Sequence, residues 1–334
     1  MSKALEVLNQ LPLVRRGWPG KAGSILVEAF DNQHRLRAGK IGADGDITWA
    51  QFGEDRKLPS FQVDTGELLV HRYGKRAVVR SGDVITKHLR PGKAHAVAEK
   101  SIQIRSACLR IGLGAAQVVD HDDSSVTFAL LPGRSVHTLG DDALPAWQQF
   151  LELWPEWQEL NVAGLPMFSA LDEAETLRTW VGHAVQHEVT YSDEIEEAAE
   201  IVCDRLIRDM PEPGAPGHGL LHRDLHDKQL LWDGEALSVL DVDTAAYGEV
   251  ALDIGNLTTH VRLRALQGVL SPDCAKQVLD GLEALAPQER TKVYADSAAL
   301  RLACVYAFRP TAASWWKQWT LRVLDELLDE GQAQ

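Results

Sequence analysis

The chain has 334 residues, 45% of them hydrophobic and 25% charged, with a net charge of −14; this size and balance exclude disordered and fibrous classes and allow a sizeable core in two lobes. The acidic excess argues against a nucleic-acid binder, because affinity for phosphate backbones comes from clustered Lys and Arg. No stretch approaches the roughly 18 apolar residues of a membrane span, residues 1–20 carry no secretory pattern, and the four cysteines have no CxxC pair, so a cytoplasmic protein with reduced thiols and no membrane partner is expected.

Charge is unevenly spread. Residues 1–140 hold 20 Lys and Arg against 14 Asp and Glu, whereas residues 141–334 hold 14 against 34. A basic half facing an acidic half suits a cleft with nucleotide phosphates on one side; acidic helices that merely keep the protein soluble explain the same numbers equally well.

In chain order, residues 24–133 read as short strand-like runs separated by turns: SILVEAF, RLRAGKI, ITWAQF, GELLVHRY, RAVVRS, DVITKHL, AAQVVDH and SVTFALL. One helical stretch, residues 94–110, interrupts them after Pro91-Gly92. Beyond Gly140 long helical periodicity takes over, in residues 142–160, 171–188 and 192–210, then a hairpin-like stretch at 229–241 and four more helical segments ending near Glu330. A β-rich half followed by a mainly helical half carrying one hairpin is a bilobal α+β arrangement.

The chemistry is concentrated in residues 219–257, GLLHRDLHDKQLLWDGEALSVLDVDTAAYGEVALDIGNL. Two apolar runs, 229–232 and 237–240, flank Asp233-Gly234-Glu235, a hairpin signal. Closing that hairpin brings its open ends, Gln229 and Asp241, to roughly 5 Å, the interstrand spacing. An amide oxygen and a carboxylate facing one space, completed by phosphate oxygens and water, suit Mg²⁺. Asp224, in His222-Arg223-Asp224 five residues upstream, stands at the entrance of the same space, where a carboxylate can orient a hydroxyl and accept its proton.

This segment resembles the phosphotransferase family of aminoglycoside phosphotransferases and choline kinases, whose loop reads H-x-D-x-x-x-x-N and is followed, after a short hairpin, by a metal-binding Asp. His222, Asp224 and Asp241 match those positions, and GEVALDIGNL looks like the family's G-D-P-x-x-D-L, with Asp253 in a structural place. The family's Asn is Gln229 here, which keeps the amide oxygen on a side chain one methylene longer. Maltokinase and glucosamine-kinase-like relatives share that Gln and an N-terminal cap, which suggests a sugar acceptor. The resemblance implies a protein-kinase-like fold and an enzyme that uses ATP and Mg²⁺ to phosphorylate a hydroxyl of a small molecule: a sugar, amino sugar or aminoglycoside-like acceptor. It places Asp224, His222 and Arg223 in the catalytic loop and gives the metal to Gln229 and Asp241.

In the β-rich half, Lys87 shares a strand face with Ile85 and Leu89, and buried lysines are rare unless paired. The only acid between residues 84 and 119 is Glu99, on the following helix. The Lys–Glu ion pair of kinase folds, with the lysine on the α- and β-phosphates, accounts for both; an edge-strand lysine and an unrelated surface glutamate is the bland alternative. No GxGxxG precedes Lys87, and the turn at Tyr73 and Gly74 is the nearest phosphate-covering loop. Leu130 and Leu131, in LLPG, resemble the hinge whose main chain reads adenine. The expected division is an N-terminal cap over residues 1–60, a nucleotide-binding lobe over 61–133 with the hinge at 130–134, and a helical lobe over 135–334 carrying the acceptor site.

Acceptor contacts are expected from His260, Arg264, Tyr306, Arg309, Trp315 and Trp316, although the helical spacing of Trp315, Trp319 and Val323 is equally that of a core stripe. His183 and His187, and His222 and His226, are four apart but lack the glutamate of HExxH, so a metal role there is not expected. WPGKAGS is not a P-loop. Two rivals stand beside the enzyme. A protein kinase is disfavoured because only eleven residues separate Asp241 from Asp253 and no DFG or APE is present. A non-catalytic pseudokinase is disfavoured because the acid, the lysine and the metal Asp all remain. Nothing in the sequence points to an oligomeric state.

Overall fold

The structure, a computed structural model, describes residues 1–63, 66–208, 210–212 and 214–332. Helix α1 (Lys3–Gln10) is started by Ser2, whose hydroxyl accepts the N–H of Leu5. An antiparallel meander follows: β1 (Val14–Pro19), β2 (Ile25–Phe30), β3 (Leu36–Ile41) and β4 (Ile47–Trp49). Asp31 and Asp44 fold back onto backbone N–H groups two residues ahead and so set the turns between these strands.

Strand β2 is buried on both faces. Ile25, Val27 and Ala29 join a core shared with α1 and with helices of the C-terminal half, so the cap is not packed as a separate unit. On the other face Glu28, fully buried, takes the Arg16 guanidinium at 2.7 Å and the backbone N–H of His71 at 2.8 Å, linking the cap to the next sheet. Gly17 donates its N–H to the Phe308 carbonyl of the C-terminal half at 2.8 Å, and a Cβ there would lie 2.7 Å from that oxygen, an approach only glycine permits.

The second sheet, all antiparallel, has strands β5 (Glu67–Arg72), β6 (Arg76–Ser81) and β7 (Val84–Leu89), then, beyond helix α2 (Ala94–Arg110) and the short β8 (Gly114–Ala115), strands β9 (Val118–His121) and β10 (Ser125–Ala129), in the order β5-β6-β7-β10-β9. Ala94 and Ala98 pack α2 on Val126 and Phe128. The helical half comprises β11 (Arg134–Ser135), α3 (Val136–Leu139), α4 (Leu144–Glu159), α5 (Ala170–Gln186) and α6 (Ser192–Arg208), the strands β12 (His218–Leu221), β13 (Leu230–Trp232), β14 (Leu237–Val239) and β15 (Ala246–Glu249), and then α7 (Ala251–Leu266), α8 (Pro272–Leu282), α9 (Gln288–Tyr306) and α10 (Ala313–Gln332). The 229–241 hairpin forms as β13–β14, and β8 joins it in parallel from the other half. All four cysteines are buried and unbridged, and no described helix is long and apolar enough to cross a membrane.

A second core lies under the hairpin. Phe150, Trp154 and Trp157 of α4 stack at centroid separations of 4.7 and 4.9 Å, and Trp157 donates its indole N–H to the Leu220 carbonyl, fixing the strand that leads into His222. Burial of large stacked rings outweighs the indole N–H of Trp154, which finds no partner. Trp154→Ala is expected to cost about 3–5 kcal/mol of unfolding free energy, measured by denaturant titration; a loss within experimental error of zero would show that this stack does not carry the core.

Candidate active site

Strand β12 ends at Leu221, and the next two backbone N–H groups, of His222 and Arg223, both donate to the carboxylate of Asp253, at 2.6 and 2.8 Å. Two successive donors point the same way because Arg223 adopts a left-handed backbone, φ 69°. Asp253 sits in the first turn of α7, completely buried. Burial pushes its pKa up to about 6 against the pull of His222 and the two N–H donors. The His222 ring donates from Nε2 to the Leu240 carbonyl at 2.7 Å, which leaves Nδ1 to accept the N–H of Asp224 at 3.3 Å. One imidazole therefore ties the loop carrying Asp224 to the end of β14, next to Asp241.

The carboxylate of Asp224 is half exposed, and the side-chain amide nitrogen of Gln229 lies 3.4 Å from it. Gln229 is fixed in turn by the Leu240 N–H on its carbonyl. With its nitrogen toward Asp224, the amide keeps its oxygen as a ligand atom. Gln229 and Asp241 both line a cavity of about 400 Å³ between the two halves. Lys87 enters from β7 and places its ammonium 2.5 Å from Asp241 and 2.9 Å from Asp243. Burial disfavours the charge on Lys87, but the two carboxylates overcome it and raise its pKa; Asp241, for all its burial, is drawn down to about 2 by Lys87. Apart from Arg76 and Ser101 the remaining walls are apolar, among them Val70, Val78, Ile85, Phe128 and Leu231, with Leu130 and Leu131 on the connection between the two halves. An apolar slot ending in a lysine, two carboxylates and an amide has the polarity of a nucleotide. The oxygen atoms of Gln229, Asp241 and Asp243 are hard ligands of the kind Mg²⁺ takes.

Several expected placements are corrected. Glu99 does not pair with Lys87: the buried stripe of α2 runs through Ala94, Ala98, Ser101 and Ile104, which turns Glu99 out to solvent. Ser101 faces the cavity instead, its hydroxyl buried without a partner, and Lys100 caps the carbonyls of Asp243 and Ala245. Arg223 turns away from the cavity to lie over the Phe168 ring at 3.7 Å, with one nitrogen on the Thr244 carbonyl. Tyr73 and Gly74 do not line the cavity; Gly74 is bound by Asp55 and Arg90 on the outer side, and from that hairpin the charged residue that reaches the cavity is Arg76. The Leu130 N–H is taken by the Asp83 carbonyl, 2.8 Å away.

On the acceptor side, His260 and Arg264 are buried rather than presented. Arg264 binds Asp227 through two nitrogens, at 2.7 and 3.0 Å, and His137 holds the same carboxylate at 2.8 Å. Burial opposes the charge on Asp227, but these partners hold it well below the usual carboxylate range. They also occupy the oxygens that a metal would need in the His226, Asp227, His260 cluster. Arg309 and Trp315 pack on Tyr306 at 4.7 and 4.6 Å, Trp316 donates to the Ala303 carbonyl, and Trp319 and Val323 are core. Sequence reasoning missed Asp243 as a Lys87 partner; the Asp241-Val-Asp243 spacing carried the signal.

The profile of the phosphotransferase enzyme family (APH) matches residues 82–294. The chain belongs to that family and is a small-molecule phosphotransferase of the kinase-like fold. No curated protein gives a significant match. Among solved structures, a thermostable mutant of aminoglycoside phosphotransferase APH(4)-Ia in its apo form is 15% identical with a TM-score of 0.55, over 81% of this chain and 96% of that one. A choline/ethanolamine kinase family protein from Mesorhizobium loti is 14% identical with a TM-score of 0.52, over 80% and 88%. Choline kinase from Cryptosporidium parvum is 9% identical with a TM-score of 0.53, over 83% and 94%.

Because the folded Asp253 carboxyl titrates near pH 6 and the unfolded one near about 3.9, the native state binds the extra proton between these values. The destabilising contribution of this charge is absent below about pH 4 and fully present above about pH 6, so stability falls as pH rises through the window. Asp253→Asn is expected to flatten that slope. At pH 7 it should also cost about 1–3 kcal/mol, because one backbone N–H then meets an NH₂ group. Unfolding free energies of both proteins at pH 4.5 and 7 check this; parallel pH dependences would refute it.

Proposed function

We propose that this chain transfers the γ-phosphoryl group of ATP, with Mg²⁺, to a hydroxyl of a sugar, amino sugar or aminoglycoside-like acceptor. The observation that carries the reading is the contact of Gln229 with Asp224, at the edge of the cavity where Asp241 meets Lys87. One fold relative adds support, since two ternary complexes of APH(4)-Ia hold AMP-PNP or ADP with hygromycin B.

The apolar slot would take the base, with Leu130 and Leu131 on the connection between the two halves. Lys87 supplies an ammonium for phosphate oxygens. Gln229, Asp241 and Asp243 would hold Mg²⁺, which when bound neutralises phosphate charge. Asp224, half exposed and steadied by Gln229 and by its own N–H on His222, orients the acceptor hydroxyl and accepts its proton. His222 and Asp253 act as positioning residues. Holding reactants and charges in register supplies most of the acceleration in such a site.

One observation favours the pseudokinase alternative: Lys87 is held by Asp241 and Asp243 without a glutamate from α2. Two measurements separate the readings. Asp224→Asn is expected to lower kcat by about 10²–10⁴ while ATP affinity measured by calorimetry stays unchanged; retention of most activity would remove Asp224 from its role. Mg²⁺-dependent ATP consumption is expected with at least one member of a panel of sugars, amino sugars, aminoglycosides and amino alcohols, and silence across the panel would make the non-catalytic reading the leading one.

A further inference from the structure

A second cavity, of about 490 Å³, lies where the cap meets the outer side of the β5–β6 turn, and shares no lining residue with the nucleotide cavity. Its walls carry Lys21 and Lys40 from the cap, Lys57 from the segment between the sheets, and Arg72, Lys75 and Arg90 from the second sheet and its turns, with His183 of α5 on the rim. No carboxylate lines it. Among the described residues none of these six cations lies within 4.0 Å of an acidic oxygen. In a chain of net charge −14 such a concentration runs against the overall charge and focuses a positive potential into one concavity.

The two guanidinium groups are held by contacts that leave their charge intact. Arg72 lies over the Trp18 ring at 5.3 Å, and its Nε is buried with no hydrogen-bond partner. Arg90 donates its Nε to the Gly74 carbonyl at 2.7 Å. Lys57 runs along the same turn, 3.1 Å from where a Cβ on Gly74 would stand, so glycine lets the lysine pass. Burial, and then Arg90, Arg72, Lys21 and Lys57, pull the pKa of Lys75 down, the mark of cations crowded together without compensation. A neighbouring concavity lined by Arg56, Lys57 and Arg90 continues the basic surface.

We propose that this cavity is a binding site for a small molecule carrying two or more phosphate groups, separate from the nucleotide site. The volume suits a small ligand. Six cations exceed what a single phosphate can engage, and the two guanidinium groups already held in place bind phosphate oxygens with little further ordering. Occupancy would replace mutual repulsion with charge-assisted hydrogen bonds.

Inorganic tripolyphosphate is the probe, titrated calorimetrically without Mg²⁺ into the full chain, into Lys57→Glu/Lys75→Glu, and into Lys87→Ala. Both reversed lysines are exposed, and relief of repulsion should leave the thermal midpoint of the empty double variant equal to or above that of the parent, which separates lost binding from lost folding. Binding is expected to the parent, weakened by added salt, reduced at least about tenfold in the double variant and changed less than about twofold in Lys87→Ala. Absence of binding to the parent, equal binding by the double variant, or loss of binding in Lys87→Ala would overturn the proposal, the last because the probe would then sit in the nucleotide cavity. The readout involves no turnover, so its failure leaves the proposed phosphotransfer untouched, and the reverse.

Discussion

Two consecutive backbone N–H groups on one buried carboxylate set the geometry of the loop that carries Asp224. Asp253 receives them at 2.6 and 2.8 Å, and the left-handed turn at Arg223 exists to let it do so. Burying a carboxylate is costly, and the high pKa of Asp253 records that cost. The return is positional. With the backbone fixed at 222 and 223, the His222 ring meets the Leu240 carbonyl, and the separation between Asp224 and the start of the 241–243 acids follows from bonded geometry. The tryptophan stack beneath β12 holds the strand two residues before His222.

The cavity between the two halves shows a related economy. A lysine brought in from a strand of one half finds its countercharges on the hairpin of the other, so the ion pair spans the cleft. Such a pair holds the two halves in register while leaving both of its members on the cavity wall. Buried ion pairs contribute little net stability; here the consequence is alignment.

Much of this was legible because it is local. The strands between residues 24 and 131 declared themselves by alternation and turn residues, α2 by its uninterrupted length, and the β13–β14 hairpin by Asp233-Gly234. The loop carrying Asp224 was legible through its spacing. What escaped depends on long-range partners. The β12–β15 pair joins segments about 30 residues apart, and neither strand stands out by itself. Glu99 was misplaced because it was weighed as the lone acid near Lys87, although the small residues at 94, 98 and 101 already marked the opposite face of α2 as the packed one. His260 and Arg264 look like surface groups in sequence, and only the burial of Asp227 between them and His137 makes them core. Helix α1 and strand β1 are short, and their apolar positions acquire meaning only against α5 and Phe308.

The cap touches both halves. Its β2 packs in the same core as α5 and α6, Gly17 is bonded to Phe308, and Glu28 reaches the backbone of β5. Two bodies linked by a single strand behave like a clamshell, free to gape about that strand. Here the cap, sharing the core of one half, is bonded to the other at a second place, so the assembly is topologically a loop. Wide opening would have to tear apolar contacts or the Glu28 bond; small sliding of packed surfaces would not. Access to the cleft in this molecule is therefore governed by the stiffness of the cap's two attachments as much as by the covalent link at residues 130–134.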